Sequence, residues 1–251
     1  MAPGRSDGGA GAGRGGGDGA GGVEGNEQCI YCLEEGAQTY DACSCEPAPA
    51  HLACIVDSAS SLPVGPQGWT HCVACGQTYK AEVQLALARG LVVKVAGRPL
   101  GDPERLAAHT VLGTVLLQQG CCTEAVDVFQ TNVAAYHHAH GPAHPDALMA
   151  AGNLGAALSS VGSHTEAVQI FRETWSTMKI VAGAEHPATM NIGVNLAVAL
   201  RKQGGLGEAA EMHRSILAAQ RATLGVHHPD TLLSAAKFKI IRDMRAEVDD
   251  V

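Results

Sequence analysis

Four prolines, Pro103, Pro145, Pro187 and Pro229, stand 42 residues apart, and no other feature of this chain restricts its fold so tightly. The last three each follow a histidine: His144, His186 and His228. Other residue types keep the same step, among them Glu124-Ala125, Glu166-Ala167 and Glu208-Ala209, then Gly120, Gly162 and Gly204, then Leu112, Leu154 and Leu196. A period of this length shared by independent residue types marks a repeat protein, in which each unit buries its apolar face only by stacking on its neighbours.

Each residue type has a structural task. Proline suits the first turn of a helix, where its missing N–H costs nothing, and it drives the preceding residue out of helical geometry. From Pro145 onward, Leu148, Ala151, Leu154, Ala157, Leu158 and Val161 recur at spacings of three and four, the stripe of an amphipathic helix. Gly162 then ends that helix, because glycine tolerates the left-handed conformation at a helix terminus. Thr165, Glu166, Ala167, Val168, Ile170 and Phe171 start a second helix, which the small Ala167 lets pack closely on the first. Three helix pairs are expected from about 103 to 228, followed by a lone helix from Pro229 to about Ala246. The charges of that last helix, Lys237, Lys239, Arg242, Asp243 and Arg245, suit a capping role. Val126, Phe129, Val168, Phe171 and Met212 fall on core spacing.

The pattern His144-Pro145-Asp146, Asn153-Leu154-Gly155, Gly162, Glu166-Ala167, repeated as His186-Pro187, Asn195-Leu196-Ala197, Gly204, Glu208-Ala209 and closed by Leu224-Gly225 and His228-Pro229-Asp230-Thr231, resembles the 42-residue tetratricopeptide repeats of kinesin light chains. The likeness covers about three-fifths of the chain. It implies a concave groove lined by the first helix of each pair, with Asn153 and Asn195 at the asparagine position that clamps a ligand's backbone amides. The first repeat has Val111 there and the last helix Lys237, so the polar grip is confined to the middle of the array. Arg201, Lys202 and Lys237 add positive charge, and an extended, partly acidic peptide is the expected ligand.

Composition narrows the remaining choices. Aromatics are only 4% and β-branched runs are scarce, which favours helices over sheets. A net charge of −8 without a Lys/Arg cluster argues against nucleic-acid binding. Residues 1–25 are nearly half glycine and read as a disordered tail without the apolar stretch of a signal peptide. No segment reaches the roughly 18 apolar residues of a membrane span. The expected location is the cytoplasm, with the nucleus as an alternative, and in such reducing surroundings clustered cysteines hold metal rather than disulfides.

Seven of the nine cysteines lie between positions 29 and 75, and with one histidine they form four short hooks: Cys29-x2-Cys32, Cys43-x-Cys45, His51-x2-Cys54 and Cys72-x2-Cys75. Eight ligands make two closed tetrahedral sites, the arrangement of structural rather than catalytic zinc. Gly36, Pro47, Pro49, Pro63, Gly65, Pro66 and Gly68 leave this segment little apolar content, so zinc is expected to supply much of its folding free energy. The ligand order resembles the RING-CH domain of membrane-associated ubiquitin ligases and some soluble proteins. That resemblance implies interleaved sites, Cys29, Cys32, His51 and Cys54 around one ion and Cys43, Cys45, Cys72 and Cys75 around the other, and a surface for a ubiquitin-conjugating enzyme. A plant homeodomain finger shares the order and gives an alternative, a chromatin reader. Its tryptophan generally stands two residues before the seventh ligand, whereas Trp69 stands three before Cys72.

The spacing of Val83, Leu85, Leu87, Leu91, Val92 and Val95 predicts a helix leading out of the zinc domain and docking on the first repeat, with a boundary near residue 97. The whole is thus expected to be mostly α: a Gly-rich tail over 1–25, a two-zinc cross-braced RING-like domain with its trailing helix over 26–97, and an α-solenoid of about three and a half helix pairs over 98–251. No nucleophile-elbow, phosphate-loop or catalytic-zinc motif is present. The expected function is a protein-interaction adaptor that joins a peptide in the groove to ubiquitin machinery; the alternative is a noncatalytic scaffold. Cys121 and Cys122 read as ordinary small residues, and His137, His138 and His140 as exposed positions at a helix end.

Overall fold

The computed structural model describes residues 22–23, 39–41, 49–60, 69, 71 and 77–249. A small antiparallel sheet comes first, with β1 (Gly22–Val23), β2 (Thr39–Asp41) and β3 (Pro49–His51) in that spatial order. Helix α1 (Leu52–Ser60) follows β3 directly, and α2 (Ala81–Val95) leads into the repeats. These consist of α3 (Pro103–Gln118), α4 (Cys122–His140), α5 (Pro145–Val161), α6 (His164–Val181), α7 (Pro187–Gln203) and α8 (Leu206–Thr223), closed by α9 (Pro229–Asp249).

The periodic residues set the helix ends. Each periodic proline opens a helix, and the histidine before it does more than punctuate. His144, His186 and His228 each accept, through Nδ1, the backbone N–H two residues on, at 3.2 Å from Asp146, Ala188 and Asp230. That satisfies one of the orphan donors of the first turn. In α3 the same position is Asp102, which accepts from both Glu104 and Arg105. Gly162 and Gly204 end α5 and α7 at φ +99° and +97°, where a β-carbon would be strained.

Helices of consecutive pairs alternate in two rows. α3 touches α5 and α5 touches α7, so these three form the inner row, with α4, α6 and α8 outside; α9 takes the next inner place by its 42-residue phase. One core runs through the array, built on Leu112, Leu116, Phe129, Leu154, Phe171, Leu196 and Ile241. The outer helix of each pair leans on the inner one through a fixed match of sizes. A β-carbon on Gly113 would lie 2.6 Å from the Phe129 ring, and one on Gly155 2.9 Å from that of Phe171.

The α2 helix keeps the phase of the outer row. Glu82 and Leu87 stand 42 residues before Glu124 and Phe129, and Leu87 is as fully buried as the phenylalanines of its register. The array therefore begins on an outer-row helix. Where an inner helix would precede α2, the chain supplies α1 and Trp69 instead: Ile55, Ala59 and Trp69 share a core with Val83, Leu87, Leu91 and Val95 of α2 and Ala108 of α3. Gly90 is the notch for this contact, since a β-carbon there would overlap Val56 Cγ1.

At the opposite end α9 covers α8, as expected of a closing helix. Its outward surface is less polar than its charge content implies, with Leu232, Leu233 and Ile240 each 55% exposed. Among the described residues no helix is long and apolar enough to cross a membrane.

Candidate partner-binding groove

The 42-residue step brings Val111, Asn153, Asn195 and Lys237 to one register position on four successive inner helices. Asn195 is exposed, whereas Asn153 and Lys237 are half-buried. An asparagine amide offers both a donor and an acceptor, which matches the alternating polar groups of an extended peptide backbone. Lys202 is exposed as well, but its ammonium lies 3.3 Å from the Ser159 carbonyl, so part of its hydrogen-bonding capacity stays within the fold.

Between α7, α8 and α9 the groove deepens into a recess of about 580 Å³. Asn191, one turn before Asn195, lines it with Lys237, Asp230, Ser234 and Gln220. Gln220 is 95% buried by its 5% exposure, and its carbonyl oxygen has no partner. Asn191 and Ser234 escape a reading based on the repeat consensus, although Asn191 is found by stepping back four residues from Asn195.

His213 sits behind this end of the groove with no exposed surface, and neither ring nitrogen has a hydrogen-bond partner. Burial, and then the positive charges of Lys237 and Arg201, push its imidazole down to about 4. It is therefore neutral at physiological pH. Arg201 and Lys237 thus both lie close to this neutral ring.

Of the eight cysteine-rich positions expected to bind metal, Cys54 lies half-buried in the first turn of α1 and His51 ends β3. Cys29, Cys32, Cys43, Cys45, Cys72 and Cys75 lie outside the described residues. The histidines at the end of α4 form no metal cluster, since no group of three suitable ligands occurs among the described residues. His140 stacks on His144, ring centroids 4.8 Å apart.

Residues 104–176 match one tetratricopeptide-repeat family model and residues 189–230 match a second. Among solved structures, the chain is similar to kinesin-light-chain TPR-like repeats from Podosopora anserina in two crystal structures. For both the identity is 23%, with 68% of this chain and 81% of that one covered, and the TM-scores are 0.59 and 0.57. BtubC (BKLC) from P. vanneervenii is similar at 16% identity and TM-score 0.57, covering 67% of this chain and 68% of that one. No curated protein matches the sequence. At these identities the likeness is one of fold. Tetratricopeptide repeats thus account for residues 104–176 and 189–230, and the solenoid they build has kinesin-light-chain-like structural neighbours.

Proposed function

We propose that the chain is a protein-interaction adaptor whose inner row of helices holds an extended, partly acidic peptide. The observation that carries this reading is the alignment of Asn153, Asn195 and Lys237 on successive inner helices, beside Arg201, on a wall open to solvent. Asparagines meet the peptide backbone and cations meet its side chains. The test is binding of fluorescein-labelled acidic peptides to the purified full chain. Asn195→Ala and Lys237→Glu should each weaken binding by tenfold or more, and equal affinity for a basic control peptide would overturn the reading.

The second part of the proposal concerns the cysteine-rich segment. Its eight ligands suit two structural zinc ions of RING-CH order, with Cys29, Cys32, His51 and Cys54 holding one and Cys43, Cys45, Cys72 and Cys75 the other. Two features of the described backbone support this reading. Cys43 and Cys45 fall in sequence between the antiparallel partners β2 and β3, and Cys72 and Cys75 between the bridged residues His71 and Thr78. Two of the four hooks thus have paired backbone residues on either side of them in sequence. Zinc supplies cross-linking here, not chemistry. Metal analysis of the purified chain should give about two zinc ions per molecule, and a metal-free folded chain would overturn this part.

Recruitment of a ubiquitin-conjugating enzyme rests on the resemblance alone. A panel of conjugating enzymes assayed for autoubiquitination tests it, and no activity across the panel would leave the noncatalytic scaffold.

A further inference from the structure

The inner wall changes character at its N-terminal end. Around Val111, where α5 and α7 carry asparagines, a recess of about 630 Å³ opens beside Thr110, Thr114 and Val115 of α3. Gln84 of α2 and Gln118 of α3 form its rim. The rest of its wall comes from the cysteine-rich side of the chain, where His71 and Thr78 pair as an antiparallel bridge.

Most of the polar atoms here are already engaged. Thr110 Oγ1 donates to the Leu106 carbonyl at 3.0 Å and accepts from Asn132 Nδ2 at 2.9 Å. Thr114 Oγ1 donates to the Thr110 carbonyl at 2.8 Å, and the Gln84 amide donates to the Tyr79 carbonyl. Both threonines have turned their hydroxyls onto their own helix, so what they can offer a ligand is a methyl group. With Val111 and Val115 this makes an apolar floor, in contrast to the cationic wall around Arg201 and Lys237 at the far end.

We propose that this recess is a second subsite of the same groove, taking one large apolar side chain of the ligand whose acidic part lies against Arg201 and Lys237. The inference rests on the peptide-binding reading above and adds to it an anchor that the N-terminal segment and the first repeat build jointly. Packed helices stand about 8–10 Å apart, so the two subsites are separated by two to three helix steps, roughly 16–30 Å. At about 3.3 Å per extended residue, the apolar residue and the acidic cluster of the ligand stand about five to nine residues apart.

The test compares, on the full chain, the affinities of two labelled synthetic peptides measured by fluorescence anisotropy. One carries an acidic triplet in a Gly/Ser background, and the other adds a single phenylalanine seven residues away, made in both chain directions. The phenylalanine should tighten binding about tenfold or more in one direction. Val111→Thr, which keeps the shape of valine and adds a hydroxyl to the floor, and Thr114→Glu, at an exposed site, should each remove that gain and leave the acidic peptide's affinity unchanged. Circular dichroism checks that both variants fold. If the acidic peptide binds but phenylalanine adds nothing, or its gain survives both substitutions, the subsite is overturned and the groove reading stands. If neither peptide binds, both fall.

Discussion

Gly155 faces Phe171 so closely that a β-carbon on the glycine would lie 2.9 Å from two ring carbons. One period earlier Gly113 faces Phe129 in the same way, and one period later the same two register positions hold Ala197 and His213. The third pair thus changes both sides together: the inner residue gains a methyl group and the ring opposite becomes smaller. Size matching across the hairpin is kept while its chemistry changes.

Gly155→Ala should destabilise the chain although alanine is the better helix former. Helix propensity favours alanine by about 1 kcal/mol, but overpacking against a buried ring costs about 1–3 kcal/mol. The expected result is a net fall in thermal midpoint. Gly207→Ala, in the first turn of α8 with no atom near the added β-carbon, should raise it, and thermal unfolding of the two variants checks the pair of signs.

His213→Phe and Ala197→Gly should be strongly non-additive. Phenylalanine alone meets the Ala197 methyl and glycine alone leaves a void, whereas together they recreate the arrangement of the first two hairpins. A double-mutant cycle by denaturant unfolding should show a coupling of at least about 1 kcal/mol.

The same histidine gives a pH dependence of defined sign. Its folded value, about 4, lies below the unfolded value of 6.5, so the unfolded chain binds the extra proton between these limits. Stability from this group is complete above about pH 6.5, declines as pH falls toward about 4, and is level below that. Other histidines also titrate, so the readout is a difference: the midpoint of the double variant should fall less than that of the parent between pH 7 and pH 4.5.

The joint between α8 and α9 is more polar than the one before it. Gln220 and Ser234 stand where the preceding repeat has Met178 and Ile192, and the Gln220 carbonyl oxygen is buried without a partner, in addition to the unpartnered threonine hydroxyl that both joints share, Thr189 and Thr231. Such groups cost about 1–3 kcal/mol each. In hydrogen exchange α9 should therefore open before α3–α8, and Gln220→Met with Ser234→Ile should slow its exchange.

His186→Asp should stabilise α7. The aspartate at the corresponding position of α3 accepts two backbone N–H groups, whereas His186 accepts one, and a carboxylate also complements the positive end of the helix. A gain of about 0.5–1 kcal/mol is expected from chemical unfolding.

The repeat was legible because its signals are local and recur. Proline before a helix and glycine after it act through backbone geometry, which no tertiary contact needs to complete, and so α5 runs from Pro145 to Val161 with Gly162 as its stop, as the sequence pattern requires. A further series, Gly141, Gly183 and Gly225, keeps the period and ends the outer helices at positive φ; it was equally available. The outer-row phase of α2 was harder to see because only Glu82 and Leu87 carry it, without proline or a glycine stop. The recess beside Val111 was not legible at all. Its walls come from residues 71 and 78, and from helices whose approach depends on packing rather than on any spacing along the chain. The cysteine hooks are plain in sequence, and six of their eight residues lie outside the described part of the structure.

Trp69 and α1 do not hang from the array on a tether; they are wedged into its first layer, with Val56 seated in the notch at Gly90 and Lys94 5.5 Å from the centre of the indole ring. A protein gripping the groove would therefore meet the helix that carries Cys54 at one set bearing, not anywhere within the sweep of a flexible linker. On the proposed function, anything recruited by the cysteine-rich end would reach only the sector of that cargo turned toward α3, as a bracket holds its load in one direction.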